Sequence, residues 1–116
     1  MTYSTFRLEK DGPVARVTLD RPSVKNAFHD VLINELTDAL GVIAKDESVR
    51  VMVLTGTGDV FSAGADLNWM KKVSHYTFEE NLEDALVFAR MLELLYRLPK
   101  PTIARINGAC MGGGVG

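Results

Sequence analysis

Cysteine is nearly absent from this chain: Cys110 stands alone among 116 residues. A single cysteine excludes an internal disulfide and fits a reducing, cytoplasmic compartment. Histidine is scarce as well. Neither His29 nor His75 has a carboxylate or cysteine partner at metal-ligand spacing, so no metal site is expected and both read as surface residues. No charge of one sign dominates, the formal net charge being −2 with both signs scattered. That excludes the basic field that nucleic acid or an anionic membrane surface would need. No apolar run approaches membrane-spanning length, and the polar, charged start (Thr2, Ser4, Arg7, Glu9, Lys10) lacks the apolar core of a signal peptide. Repeats, linkers and low-complexity segments are also missing. The composition is that of an ordinary globular domain, 47% apolar and 24% charged. The reading is of a soluble cytoplasmic protein, or a piece of one.

The chain alternates strands and helices. Thr5–Glu9 and Val14–Leu19 read as the arms of a hairpin around a turn at Lys10–Pro13. Residues 20–27 form a loop, since Pro22 disfavours a helical Arg21. Leu32, Leu36, Ala39, Leu40 and Ile43 recur at spacings of three and four, which predicts a helix over Asp30–Lys45. Val51–Thr55 is a continuous apolar run, the pattern of a strand buried on both faces. Strand, helix and strand at this spacing predict a parallel pair with a helical crossover. Val60–Met70 is a run of small residues that ends in bulky ones and leads into a short helix. Thr77 and Glu80 form a capping box for a helix reaching about Arg97, with Phe78, Leu82, Ala85, Leu86, Ala89 and Leu92 on its apolar face. Pro101–Ile106 reads as a short buried strand.

Two segments of small residues each follow a predicted strand: Ala63-Gly64-Ala65-Asp66 and Gly112-Gly113-Gly114. Glycines there let the backbone approach something that a Cβ would exclude, and a helix start would add its positive dipole end. Ligand crevices form at strand ends in α/β sheets. Two peptide N–H groups that converge on one oxygen stabilise charge developing on a carbonyl. Both segments read equally as tight turns that need glycine for backbone shape.

Three motifs occur in order. They are Arg21-Pro22-x-x-Lys25-Asn26-Ala27-Phe28, then Val53-Leu54-Thr55-Gly56-x-Gly58-x-x-Phe61-Ser62-Ala63-Gly64-Ala65-Asp66-Leu67, then Asn107-Gly108-x-x-x-Gly112-Gly113-Gly114. Together they resemble the enoyl-CoA hydratase/isomerase (crotonase) superfamily over essentially the whole chain. The resemblance implies an α/β fold, the crotonase-like ββα spiral, of which residues 1–116 are the N-terminal part of one acyl-CoA-binding domain. It implies trimers or trimer pairs, an acyl-CoA thioester as substrate with coenzyme A its only cofactor-like part, and stabilisation of a thioester enolate by two peptide N–H groups. Carried onto this sequence, those donors are Ala65 and Gly113, the catalytic pair. Lys25 and Ala27 lie along the phosphate and pantetheine path, and Ser62, Ala63, Gly64, Asp66 and Leu67 line the adenine and pantetheine side. Asp66 reads alternatively as the cap of the following helix. Gly112, Met111 and Trp69 adjoin the acyl pocket, although Trp69 and Met70 read as readily as core. Cys110 is read as a buried thiol, not a nucleophile, and Glu79, Glu80, Glu83 and Asp84 as a solvated face.

The sequence departs from the hydratase pattern at Gly116, where typical hydratases place a catalytic Glu three residues after the oxyanion glycine. The second family carboxylate is expected beyond this stretch, so no general acid or base is assigned. Relatives that combine Gly-Ala-Asp-Leu-Asn-Trp-Met with Gly at the Glu position suggest a lyase hydrating a methylglutaconyl-type enoyl-CoA in fatty or branched-chain acid breakdown. The alternatives are an isomerase or acyl-CoA hydrolase of the same family, or an inactive fragment that only binds CoA thioesters. The family pattern also leads one to expect further ββα turns after Gly116, and no hydratase activity from these 116 residues alone. Nucleotide binding through the glycines ranks low, because no Lys-Ser/Thr follows them.

Overall fold

Asp11 and Val14 pair across Gly12-Pro13 and close an antiparallel hairpin between β1 (Phe6–Asp11) and β2 (Val14–Leu19). The computed structural model describes residues 2–116. Helix α1 (Asp30–Lys45) crosses over from β2 to β3 (Val51–Gly56), which lies parallel to β2 with Val17 opposite Leu54. β5 (Thr102–Ala104) adds a further parallel strand, giving the order β1-β2-β3-β5. Between β3 and β5 come β4 (Val60–Ser62), α2 (Leu67–Val73) and α3 (Phe78–Tyr96). β6 (Ala109–Cys110) pairs in parallel with β4 as a separate two-stranded sheet.

One face of the larger sheet carries the core. Ala15, Val17 and Leu19 alternate along β2, and Met52 lies opposite Ala15 on β3. α1 covers this face with Leu32, Ile33, Leu36, Ala39, Leu40 and Ile43, all buried. Each of the larger side chains contributes about 2 kcal/mol by leaving water. The helix begins at His29, whose Nδ1 accepts a hydrogen bond from the Leu32 N–H at 3.3 Å. At its other end the Lys100 ammonium donates to the carbonyls of Ile43 and Asp46, which places a cation at the negative end of the helix.

The hairpin, the α1 stripe, the parallel crossover and the Thr77–Glu80 capping box stand as the sequence predicts. Other expectations need correction. β3 is not buried on both faces: Val51 and Val53 are half-buried, because no helix covers the second face among the described residues. β5 is the edge strand and fully exposed, with Ile103 at 53%. The core stripe of α3 is rotated from the expected one. Val87, Phe88, Met91, Leu92 and Leu95 face the core, while Phe78, Leu82 and Leu86 are exposed. Val60–Ser62 and Ala109–Cys110, not predicted as strands, pair with each other through a bulge. The glycines after β6 open only one 3-10 turn, Gly112–Gly114.

Candidate functional site

The loop between β2 and α1 acts as a template for the loop after β4. Pro22–Val24 makes a 3-10 turn, and then Lys25 and Asn26 both adopt left-handed backbone, φ 54° and 57°. This unusual pair lets the chain reverse while Asn26 stays buried at 1% exposure. Its amide is fully used. Oδ1 accepts from the Arg21 N–H, and Nδ2 donates to the carbonyls of Thr57 and Val60 at 3.1 and 2.9 Å. The next bonds run residue by residue along the facing loop. The Ser62 hydroxyl donates to Asn26 O, the Ala63 N–H to Lys25 O, and the Asp66 N–H to Phe28 O, while the Phe28 N–H donates to Gly64 O at 2.7 Å.

That last bond orients Ala65. The Gly64 carbonyl and the Ala65 N–H belong to one planar trans peptide, so they point in opposite directions. With the carbonyl fixed on Phe28, the Ala65 N–H turns away from the template, and it donates to no acceptor among the described residues. The parallel β4–β6 pair brings the second loop alongside, the Met111 N–H donating to Ser62 O at 3.0 Å. Gly113 sits in the first turn of the 3-10 segment, where its N–H likewise has no internal acceptor. The loops touch at Gly64, whose φ is +90°. A Cβ there would lie 3.0 Å from Met111 O and 3.4 Å from the Gly113 nitrogen. Glycine is required by both the backbone angle and the close approach. Two unbonded peptide N–H groups therefore lie on adjacent, glycine-shaped loops.

The space around them divides in two. A cavity of about 540 Å³ is lined by Lys25, Ala27, Ala63, Ala65, Asp66 and Leu67, with Lys71 at its edge. Five of the residues expected along a CoA path line this cavity together with Ala65. Gly113 and Gly114 face a smaller apolar cavity of about 120 Å³ with Phe28, Phe61, Met91 and Leu92. Phe88 lies 3.6 Å from where a Cβ on Gly113 would stand.

Other expected residues fall elsewhere. Ser62 is wholly buried, with its hydroxyl donating to Asn26 O and accepting from the Gly64 N–H, so it shapes the loop and lines neither cavity. Trp69 packs edge-on against Phe88 at 6.4 Å and borders a polar hollow of about 270 Å³ with Arg21, His29, Asp30 and Lys72. Met111 is 61% exposed beside the glycines. The Cys110 thiol donates to Gly114 O at 3.1 Å. Among the described residues no group of three or more His, Cys, Asp or Glu could hold a metal ion.

Asp66 is 5% exposed. Its Oδ1 accepts from the Asn68 and Trp69 N–H groups and so caps α2, while Oδ2 accepts from Arg21 Nη2 at 2.9 Å. Burial pushes its carboxyl up, but the Arg21 bond, the two capping N–H groups and the Arg21 charge prevail and hold it below the usual carboxylate range. His29 is lowered from the ordinary histidine range, first by burial and then by the Arg21 charge. It therefore serves as a neutral acceptor at the start of α1. Arg21 and Asn26, the hubs of this framework, stand inside the first sequence motif without any role being evident there.

The family follows from comparison with known proteins. The family model described as enoyl-CoA hydratase/isomerase matches residues 9–116. A putative enoyl-CoA hydratase of Thermus thermophilus is 40% identical over 105 residues, covering 90% of this chain and 42% of that protein. A 4-chlorobenzoyl coenzyme A dehalogenase of an Arthrobacter species is 38% identical over 110 residues, 94% of this chain and 40% of that one. The crystal structure of an enoyl-CoA hydratase from Shewanella pealeana superposes with a TM-score of 0.94 at 40% identity, over 97% of this chain and 42% of that one. This chain belongs to the enoyl-CoA hydratase/isomerase family and has the N-terminal part of the crotonase fold. It spans about two fifths of the length of the relatives it matches.

Proposed function

We propose that Ala65 and Gly113 together receive the carbonyl oxygen of an acyl-CoA thioester and stabilise the enolate formed from it. The observation that carries this reading is the pair of unbonded N–H groups on loops in contact through Gly64. Donors fixed before the ligand arrives need no reorganisation when charge develops, and one such donor is worth roughly 10²- to 10³-fold in rate. The cavity beside Ala65, lined by Ala27, Ala63 and Leu67 with Lys25 and Lys71 at hand, suits a thin pantetheine arm that ends in phosphates. The apolar space beside Gly113 suits the acyl group. Coenzyme A enters as part of the substrate, and no separate cofactor is invoked.

The reaction we favour is hydration of an enoyl-CoA, of methylglutaconyl type. Gly116 supplies no carboxylate where the family's hydratases carry one, so the proton-transferring group is not among residues 112–116. This also keeps isomerisation or thioester hydrolysis as a second reading. Calorimetric titration with acetoacetyl-CoA and with free CoA tests the binding half. The thioester should bind more tightly, and replacing Ala65 with its α-hydroxy analogue, which lacks the N–H, should erase about fivefold of that difference. Equal affinity for thioester and free CoA sinks the reading. Turnover assays should show no hydration of crotonyl-CoA or methylglutaconyl-CoA by the 116 residues alone.

A further inference from the structure

We propose that Arg21 is a positioning residue that polarises the Ala65 N–H through two peptide groups in series, a role that rests on the two-donor reading above. The connection can be followed atom by atom. Arg21 Nη1 donates to the Ala27 carbonyl. That carbonyl shares a peptide with the Phe28 N–H, which donates to Gly64 O at 2.7 Å. The Gly64 carbonyl in turn shares a peptide with the Ala65 N–H. A cation therefore stands at one end of a chain of aligned amide dipoles, and the proposed thioester donor stands at the other.

Hydrogen bonds in such a chain strengthen one another, because each carbonyl that accepts makes its own N–H more acidic. The effect is largest where water is scarce. Here Ala27 and Phe28 are buried, and the Arg21 side chain is only 16% exposed. Asp66 holds the guanidinium in place by taking its other nitrogen, Nη2, at 2.9 Å. The planar fork of arginine serves the two acceptors from two separate nitrogens in a fixed geometry, where a lysine has one ammonium nitrogen. Arg21 lines neither cavity beside the donors; it reaches the Ala65 N–H through the peptides and the larger cavity through Asp66.

The test compares the unaltered chain with Arg21→Gln, which keeps a donor for Ala27 O but removes the charge, and with Arg21→Lys. The probe is crotonyl-CoA labelled at the thioester carbonyl carbon, read by isotope-edited infrared difference spectroscopy, with free CoA titrated in parallel. In the unaltered chain the bound carbonyl stretch should fall below its value in water. Arg21→Gln should return part of that fall and lose about 1.5-fold in thioester-over-CoA preference, with free-CoA affinity unchanged. Arg21→Lys should lie between the two. A purely structural arginine would change the melting temperature and leave the carbonyl frequency of bound ligand where it was, and that result overturns the proposal. Should Arg21→Gln fail to fold because Asp66 is left unpaired, the double variant Arg21→Gln/Asp66→Asn carries the infrared measurement, with Asp66→Asn as its reference. If the unaltered chain shows no lowered stretch and no preference for thioester, the two-donor reading itself falls. A stretch just as low in Arg21→Gln as in the unaltered chain removes only the polarising role.

Discussion

Gly114 lies flat against Ser62. A Cβ on residue 114 would stand 2.8 Å from the Ser62 Cβ and 3.0 Å from its Oγ. Ser62 is wholly buried and held at its hydroxyl by Asn26 O and the Gly64 N–H, so it has no room to retreat. Gly114→Ala should therefore destabilise the chain by about 2 kcal/mol through overpacking. It should also weaken thioester binding more than free-CoA binding, because the strain falls on the loop that carries Gly113. Urea unfolding together with paired titrations checks both.

Asn26 combines a left-handed backbone with a buried amide whose bonds reach residues 21, 57 and 60. Asn26→Ala leaves those groups unpaired and forces an alanine into that backbone, an expected loss of about 3 kcal/mol. Asn26→Gly relieves the backbone term alone and should lose less. Equal loss in both, measured by urea unfolding, would mean that the side-chain bonds account for the whole effect.

Removing the Asp66 carboxylate abolishes an α2 cap and strands the largely buried Arg21 guanidinium. Asp66→Ala should destabilise by about 3 to 5 kcal/mol, the range found when one partner of a buried pair is deleted. The pH dependence has a definite sign. The folded carboxyl titrates below its unfolded value, so its contribution is present above the ordinary carboxylate range and is lost as pH falls through the folded pKa. Acid unfolding of Asp66→Asn should lack that component.

His29 gives a second, separable pH effect. Its folded pKa is lowered, so the unfolded chain takes up the proton first as pH falls. Stability is full above the ordinary histidine value of 6.5 and declines below it. The groups acting on the ring are Arg21, which disfavours its proton, and Asp30, Asp66 and Glu35, which favour it. Urea midpoints measured over roughly pH 5 to 8 should fall at the acid end, and His29→Asn, a cap that does not titrate, should flatten the profile.

Local signals carried much of the fold. The α1 stripe, the Gly12-Pro13 hairpin and the Thr77 capping box are each written within a few neighbouring residues, and each appears at its expected place. What escaped depends on distant partners. β5 has the composition of a buried strand yet lies at an edge, because burial is decided by what covers a strand rather than by its own residues. The α3 face is rotated because Phe78, Leu82 and Leu86, although regularly spaced, lie where nothing packs on them, while Met91 meets the core under α1. At the site, the two glycine-rich loops and five residues of the cavity beside Ala65 stand within the sequence motifs. Arg21 and Asn26 could not be given roles, since their partners lie up to 45 residues away and include backbone carbonyls that leave no mark in a sequence.

The short β4–β6 ladder also has a mechanical meaning. Both proposed donor loops leave the same end of two parallel strands, so the gap between them is gauged by an interstrand spacing of about 4.8 Å. A ladder is stiff across its hydrogen bonds, and the gap cannot drift without breaking the bond from the Met111 N–H to Ser62 O. Motion elsewhere in the chain, in α3 or at the β5 edge, can reshape the pockets while this gauge keeps its setting. Ligands of different bulk could then meet the same pair of donors at the same separation.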